Sequence, residues 1–118
     1  MPPSTRPRGG CNSFITFKAM EGTYIGTKLK YQVTASSSGF DMVENDFTVE
    51  ITNGTKSRVF AKSELVQDEN NKFYVCFDTR DFGIGQLTMI ITAFVPDLDF
   101  DGGIRTEVEK KELIYVKN

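Results

Sequence analysis

The sequence predicts an all-β protein, an immunoglobulin-like antiparallel β-sandwich of about seven strands behind a flexible N-terminal arm. Three observations predict it. Apolar and polar residues alternate with a period of two along most of the chain. The alternating runs are separated by turn chemistry at intervals of roughly 8–12 residues. No stretch sustains a helical period. The nearest approach, "AKSELVQDE" at 61–69, has Ser63 as a potential cap but is too short to change the class.

Residues 1–12 form the arm. Pro2, Pro3 and Pro7 deny it helix and sheet hydrogen bonds, and Arg6 and Arg8 give it a local positive charge. The arm reads either as a frayed terminus or as a segment that docks onto a neighbour in an assembly. Residues 13–118 form the sandwich domain. Its first strand is "SFITFK", which sets Ile15 and Phe17 on one face. In "KLKYQVTA", Leu29, Tyr31, Val33 and Ala35 face one way and Lys28, Lys30, Gln32 and Thr34 the other. "NDFTVEIT" turns Phe47, Val49 and Ile51 inward, and the short "SRVFAK" follows. "KFYVCFDT" carries Phe73, Val75 and Phe77 on one face. "GQLTMIITAFVP" is the longest, with Leu87, Met89, Ile91, Ala93 and Val95 in a row. "KELIYVKN" closes the chain.

The connections fit the strands. Asn53-Gly54 is the best hairpin signal, because both residues tolerate positive φ. "SSSG" and "QDENNK" separate further strands, and Gly83 and Gly85 bracket Ile84 before the long one. "NGT" at 53–55 is formally a glycosylation sequon, but the turn reading is preferred.

Composition limits the chemistry. The chain has 118 residues, enough for one domain and one modest core. It contains no histidine, so the usual general base and the commonest metal ligand are missing. Zinc sites and Ser-His or Cys-His pairs cannot be built, and no enzyme is expected. A net charge of -2 is too balanced for a nucleic-acid surface. No apolar run approaches the ~18 residues of a membrane span. "MPPSTRPRGG" lacks the apolar core of a signal peptide, so a soluble protein made in the cytoplasm is expected. Cys11 and Cys76 read as free thiols in a reducing compartment, with a disulfide left open.

"PDLDFDGGIRTE" at 96–107 is the densest stretch. Asp97, Asp99, Asp101 and Gly102 spell the opening of a calcium loop, with Glu107 near the far end. Against a calcium site, the twelfth position is Val108 instead of glutamate, Leu98 and Phe100 are large and apolar, and strands flank the loop on both sides. The preferred reading is structural. Leu98 and Phe100 plug the end of the sandwich, the aspartates face solvent or accept backbone N–H bonds, and Arg105 pairs with one of them. Catalysis by paired carboxylates is the least favoured reading.

Two strands carry apolar residues where a wet face is expected. Ile90 and Phe94 lie on the outer side of the long strand, and the last strand has Leu113 and Tyr115 against Ile114 and Val116. Loop cover and a subunit interface both fit, and Ile90, Phe94, Tyr115 and the arm are the candidate contacts.

The second half of the chain, from "VCFDTRDFGIGQL" to "ELIYV", resembles a module of phage and prophage structural genes in Bacteroidetes. The matching residues are Thr79, Gly83, Gly85, Leu87, Pro96, Asp97, Asp99, Phe100, Gly102, Arg105, Thr106 and Glu107. "GFDMVENDFTVEI" is similar to an earlier strand of that module. The resemblance implies a virion component of the capsid-decoration, head-fibre, tail or baseplate kind, assembled in the host cytoplasm. Its partners would be its own copies or neighbouring virion proteins, with no cofactor, nucleic acid or membrane. The module tolerates proline at its third acidic position, so "DFDGG" departs from it and is more calcium-like. A calcium-stabilised adhesion or carbohydrate-binding sandwich, with Asp97, Asp99, Asp101 and Glu107 as ligands, is the alternative.

Overall fold

The computed structural model describes residues 22–118. The arm at 1–12, Cys11 and the strand expected at 13–18 lie outside them. The described chain is all-β, with eight strands in two sheets. They are β1 (Thr23–Tyr24), β2 (Lys28–Val33), β3 (Phe47–Thr52), β4 (Ser57–Ala61), β5 (Val66–Gln67), β6 (Phe73–Asp78), β7 (Gly85–Pro96) and β8 (Ile104–Lys117). The larger sheet has the order β1-β8-β7-β3-β4 and the smaller β2-β6-β5.

This order is immunoglobulin-like. The smaller sheet takes the places of strands B, E and D. In the larger, β3, β7 and β8 stand for C, F and G, and β4 adds the extra C′ strand of the variable type. All pairings are antiparallel except β1 with β8, which run parallel. The fold does without the tryptophan and inter-sheet disulfide of antibody domains. The chain has no Trp, and neither β2 nor β7 contains a cysteine. Cys76 is exposed on β6.

The period-two pattern becomes the core. Phe47, Val49 and Ile51 from β3 and Leu87, Met89 and Ile91 from β7 meet Val33, Phe73, Val75 and Phe77 of the smaller sheet. Phe47 is the joint. It is fully buried and meets Phe73 edge to face at 5.4 Å and Phe40 at 6.1 Å. Such contacts add to the burial of the rings themselves. The connection at 34–46 lays Phe40 and Met42 against this core.

Two expectations change. The stretch 61–69 divides into a 3-10 turn, Lys62–Glu64, and β5. Ser63 lies inside that turn instead of capping it, and the Glu64 carboxylate accepts the Ala61 N–H at 2.8 Å. Pairing of Val66 and Gln67 with β6 draws the remainder into the sheet. The strand expected just after the acidic loop and the closing strand are also one, since β8 starts at Ile104, runs to Lys117 and pairs along β7.

The register of that pairing slips between Gln86 and Thr88. Gln86 sits opposite Tyr115 and Thr88 opposite Glu112, so Leu87 faces both Leu113 and Ile114. This is a β-bulge. It lets two consecutive residues pack against the core, which accounts for apolar side chains on both nominal faces of "ELIYV".

The turns are held by side chains. Asn53 Oδ1 accepts the N–H groups of Thr55 and Lys56 at 2.8 and 2.7 Å. Its Nδ2 donates to the Phe82 carbonyl, so the amide of the formal sequon is engaged at both ends. Gly54 takes the positive φ of 92°. Among the described residues, Thr79 is the buried polar one. Its N–H donates to the Thr27 carbonyl at 3.0 Å, and its Oγ1 accepts the Gly26 N–H at 2.9 Å.

Phe47→Ala removes the ring that joins the sheets. The expected loss is about 3–5 kcal/mol of unfolding free energy, measured by urea denaturation. A loss below about 1 kcal/mol would show that the sheets are held elsewhere.

Candidate functional site

The acidic loop joins β7 to β8, and its foot is closed by backbone bonds. The Asp97 N–H donates to the Gly103 carbonyl at 2.9 Å, and the Gly103 N–H donates to the Phe100 carbonyl at 2.9 Å. Gly102 and Gly103 take φ values of 77° and 73°, a region that suits glycine. Asp97 Oδ1 accepts the Asp99 N–H at 3.0 Å, an Asx turn at the loop entrance.

Arg105 organises the rest. It lies on β8, opposite Val95. Its guanidinium donates to Asp97 Oδ2, to Glu107 Oε2 at 2.7 Å and to the Ser38 carbonyl at 3.1 Å. One fork thus ties the loop, β8 and the β2–β3 connection. Arginine suits this because its donors are fixed in a plane and its charge is permanent.

The electrostatics follow the bonds. The Asp99 N–H first, then Arg105, hold the Asp97 carboxyl below its ordinary value. The Ser37 hydroxyl first, then Arg105, do the same for Glu107. Glu107 and then Asp97 raise Arg105 further.

The four residues of the calcium reading do not come together. Asp97 and Glu107 share a guanidinium, which occupies the charge that a metal would need. Asp99 and Asp101 are exposed. Among the described residues, no group of three or more His, Cys, Asp or Glu side chains is placed to hold a metal ion. The pairing of Arg105 with an aspartate is as the sequence suggests, but the apolar plugs are not. Leu98 is 95% exposed and Phe100 50%. Val95 is nevertheless buried, and the β2–β3 connection passes near it, close enough that a Cβ at Gly39 would touch it.

The outer face of the larger sheet is the second candidate. Ile90 is flanked across it by Glu50 on β3 and Lys110 on β8, with Val59 on β4 beyond Glu50. Beside Thr92 lie Ala61, Thr48 and Val108, and beside Phe94 lies Thr106. Ile90 and Phe94 are partly exposed, Val59 and Val108 are 58% and 56% exposed, and Ile104 and Tyr115 are also open. The alternating pattern located Ile90 and Phe94. Val59, Val108 and Ile104 were missed because their own strands look merely polar. Their place on this face comes from the pairing.

A hollow of about 500 Å³ opens beside the 3-10 turn, lined by Asp46, Lys62, Ser63, Leu65 and Phe73 among others. The Lys62 ammonium is held by the Val43 and Asn45 carbonyls at 2.7 and 2.8 Å. No described helix is long and apolar enough to cross a membrane.

The clamp predicts an acid limb. Asp97 and Glu107 have folded values below their ordinary 3.8 and 4.5. Their contribution is full above those ordinary values and is lost as pH falls through the lowered folded ones. Arg105→Gln is expected to lower Tm at neutral pH and to flatten its fall below about pH 4.5. An acid limb identical to wild type, measured by thermal melting across pH, would show that the clamp is not coupled to stability.

Comparison with protein-family models, with curated proteins and with solved structures returns no match to the chain.

Proposed function

We propose that the chain is a non-enzymatic structural module of a phage or prophage particle, acting by assembly with its own copies or with neighbouring virion proteins. The virion assignment rests on the resemblance carried by Thr79, Gly83, Gly85, Leu87 and the Pro96–Glu107 stretch. The observation that carries the mode of action is the outer face of the larger sheet. Ile90 and Phe94 lie on its central strand, with Val59, Val108 and Ile104 open around them. Scattered exposed apolar residues are ordinary, but several gathered on one face of a sheet, here interleaved with threonines, suit a contact surface. Tyr115 lies further along β8 and extends it.

The test is the solution mass by light scattering, with and without EDTA. A defined oligomer that EDTA leaves intact is expected, and Ile90→Lys with Phe94→Lys should dissolve it. An oligomer or a melting temperature that depends on calcium would favour the adhesion or carbohydrate-binding alternative. A monomer under all conditions would overturn self-assembly.

A further inference from the structure

The larger sheet's outer face carries a charge pattern that bears on how two copies could meet. Glu50, Ile90 and Lys110 stand in one line across β3, β7 and β8. An acid and a base thus flank the central isoleucine, one on each side. Strands lie ~4.8 Å apart, so the two charges are roughly 10 Å from each other, too far to pair within one copy. Among the described residues neither makes an ion pair. The line on one side is neutral, with Thr48, Thr92 and Val108, and the line on the other carries one charge, with Thr52, Thr88 and Glu112.

Two copies packed face to face through this surface can be related by a two-fold axis in the plane of the interface. If the axis ran across the strands through Ile90, Glu50 would meet Glu50 of the second copy and Lys110 would meet Lys110. Like charges at close range oppose association. If the axis runs along β7, left and right exchange. Glu50 of each copy then lies over Lys110 of the other, and the two ion pairs bracket an Ile90–Ile90 contact. Phe94 meets Phe94 further along the axis, Thr48 lies over Val108, and Glu112 lies over Thr52 of the second copy. The same patch serves both copies, as an isologous interface requires.

We infer that the occupant of this face is a second copy of the chain, in a two-fold dimer whose axis follows β7 and whose register is set by reciprocal Glu50–Lys110 pairs. This rests on the assembly reading above and names its partner and geometry. The pairs act on specificity more than on gross affinity, which comes from the apolar and threonine surface between them.

Charge reversal tests the geometry. The full chain is diluted through the association range, and the dimer dissociation constant is read by sedimentation equilibrium. Glu50→Lys alone and Lys110→Glu alone each create two like-charge contacts per dimer and should weaken it about tenfold or more. The double variant restores both pairs with the signs exchanged and should return to within about threefold of wild type. Both positions are on the sheet surface, and thermal melting of each variant checks that the monomer fold is intact. A dimer that ignores the single reversals, or that the double variant fails to rescue, overturns the two-fold arrangement. If that dimer is still dissolved by Ile90→Lys with Phe94→Lys, the assembly face stands and only the geometry falls. If neither set of variants weakens it, the face itself is wrong.

Discussion

The register of β7 is the constraint on which the structure depends. This strand is paired on both sides, to β3 and to β8. Its inner row from Leu87 to Val95 is buried, and its outer row holds Thr88, Ile90, Thr92 and Phe94. A slip of one residue would send the outer row inward and expose the core. Because β3 and β8 take their register from β7, the same setting decides where Glu50 and Lys110 stand and which face Val108 joins. The bulge opposite Leu87 lets β8 leave that register at one end and add Leu113 and Ile114 to the core.

At the other end of β7 the problem is different. The inner side of β8 turns from apolar to charged there, with Arg105, Glu107 and Glu109 opposite Val95, Ala93 and Ile91. The Arg105 fork engages Glu107, Asp97 and the Ser38 carbonyl. The β2–β3 connection is thereby held near Val95. Asp97 thus links the acidic loop to an ion-pair network and holds the loop entrance as an Asx turn, while Asp99 and Asp101 are exposed.

Much of this was legible in the sequence, and the exceptions share a cause. The strands with strict alternation, β2, β3, β6 and β7, appear within a residue or two of their expected bounds. β5 was not legible, because backbone pairing to β6 makes it a strand and its own side chains do not announce it; for β8 the strand after the acidic loop and the closing strand were both legible, but not their union into one. Arg105 was a foreseeable partner for an aspartate. Its reach to Ser38, 67 positions earlier, could not be foreseen, since local spacing carries no information about it. Leu98 and Phe100 misled for the converse reason. Their hydrophobicity suggested burial, whereas the turn geometry fixed by Gly102 and Gly103 points them outward. Ile90 and Phe94 were legible as anomalies, but the line of charge through Ile90 exists only once three strands are aligned.

The foot of the β7–β8 turn is closed by the Asp97–Gly103 backbone bond and by Arg105, while the side chains of Leu98, Asp99 and Asp101 are exposed at its tip. Length at the tip is therefore uncoupled from the sandwich. Residues added there lengthen a loop whose ends are already fixed, and the entropy of closing it grows only slowly with length. That makes the tip a natural graft point, where a foreign epitope or a binding loop can be displayed while the sheets beneath keep their register.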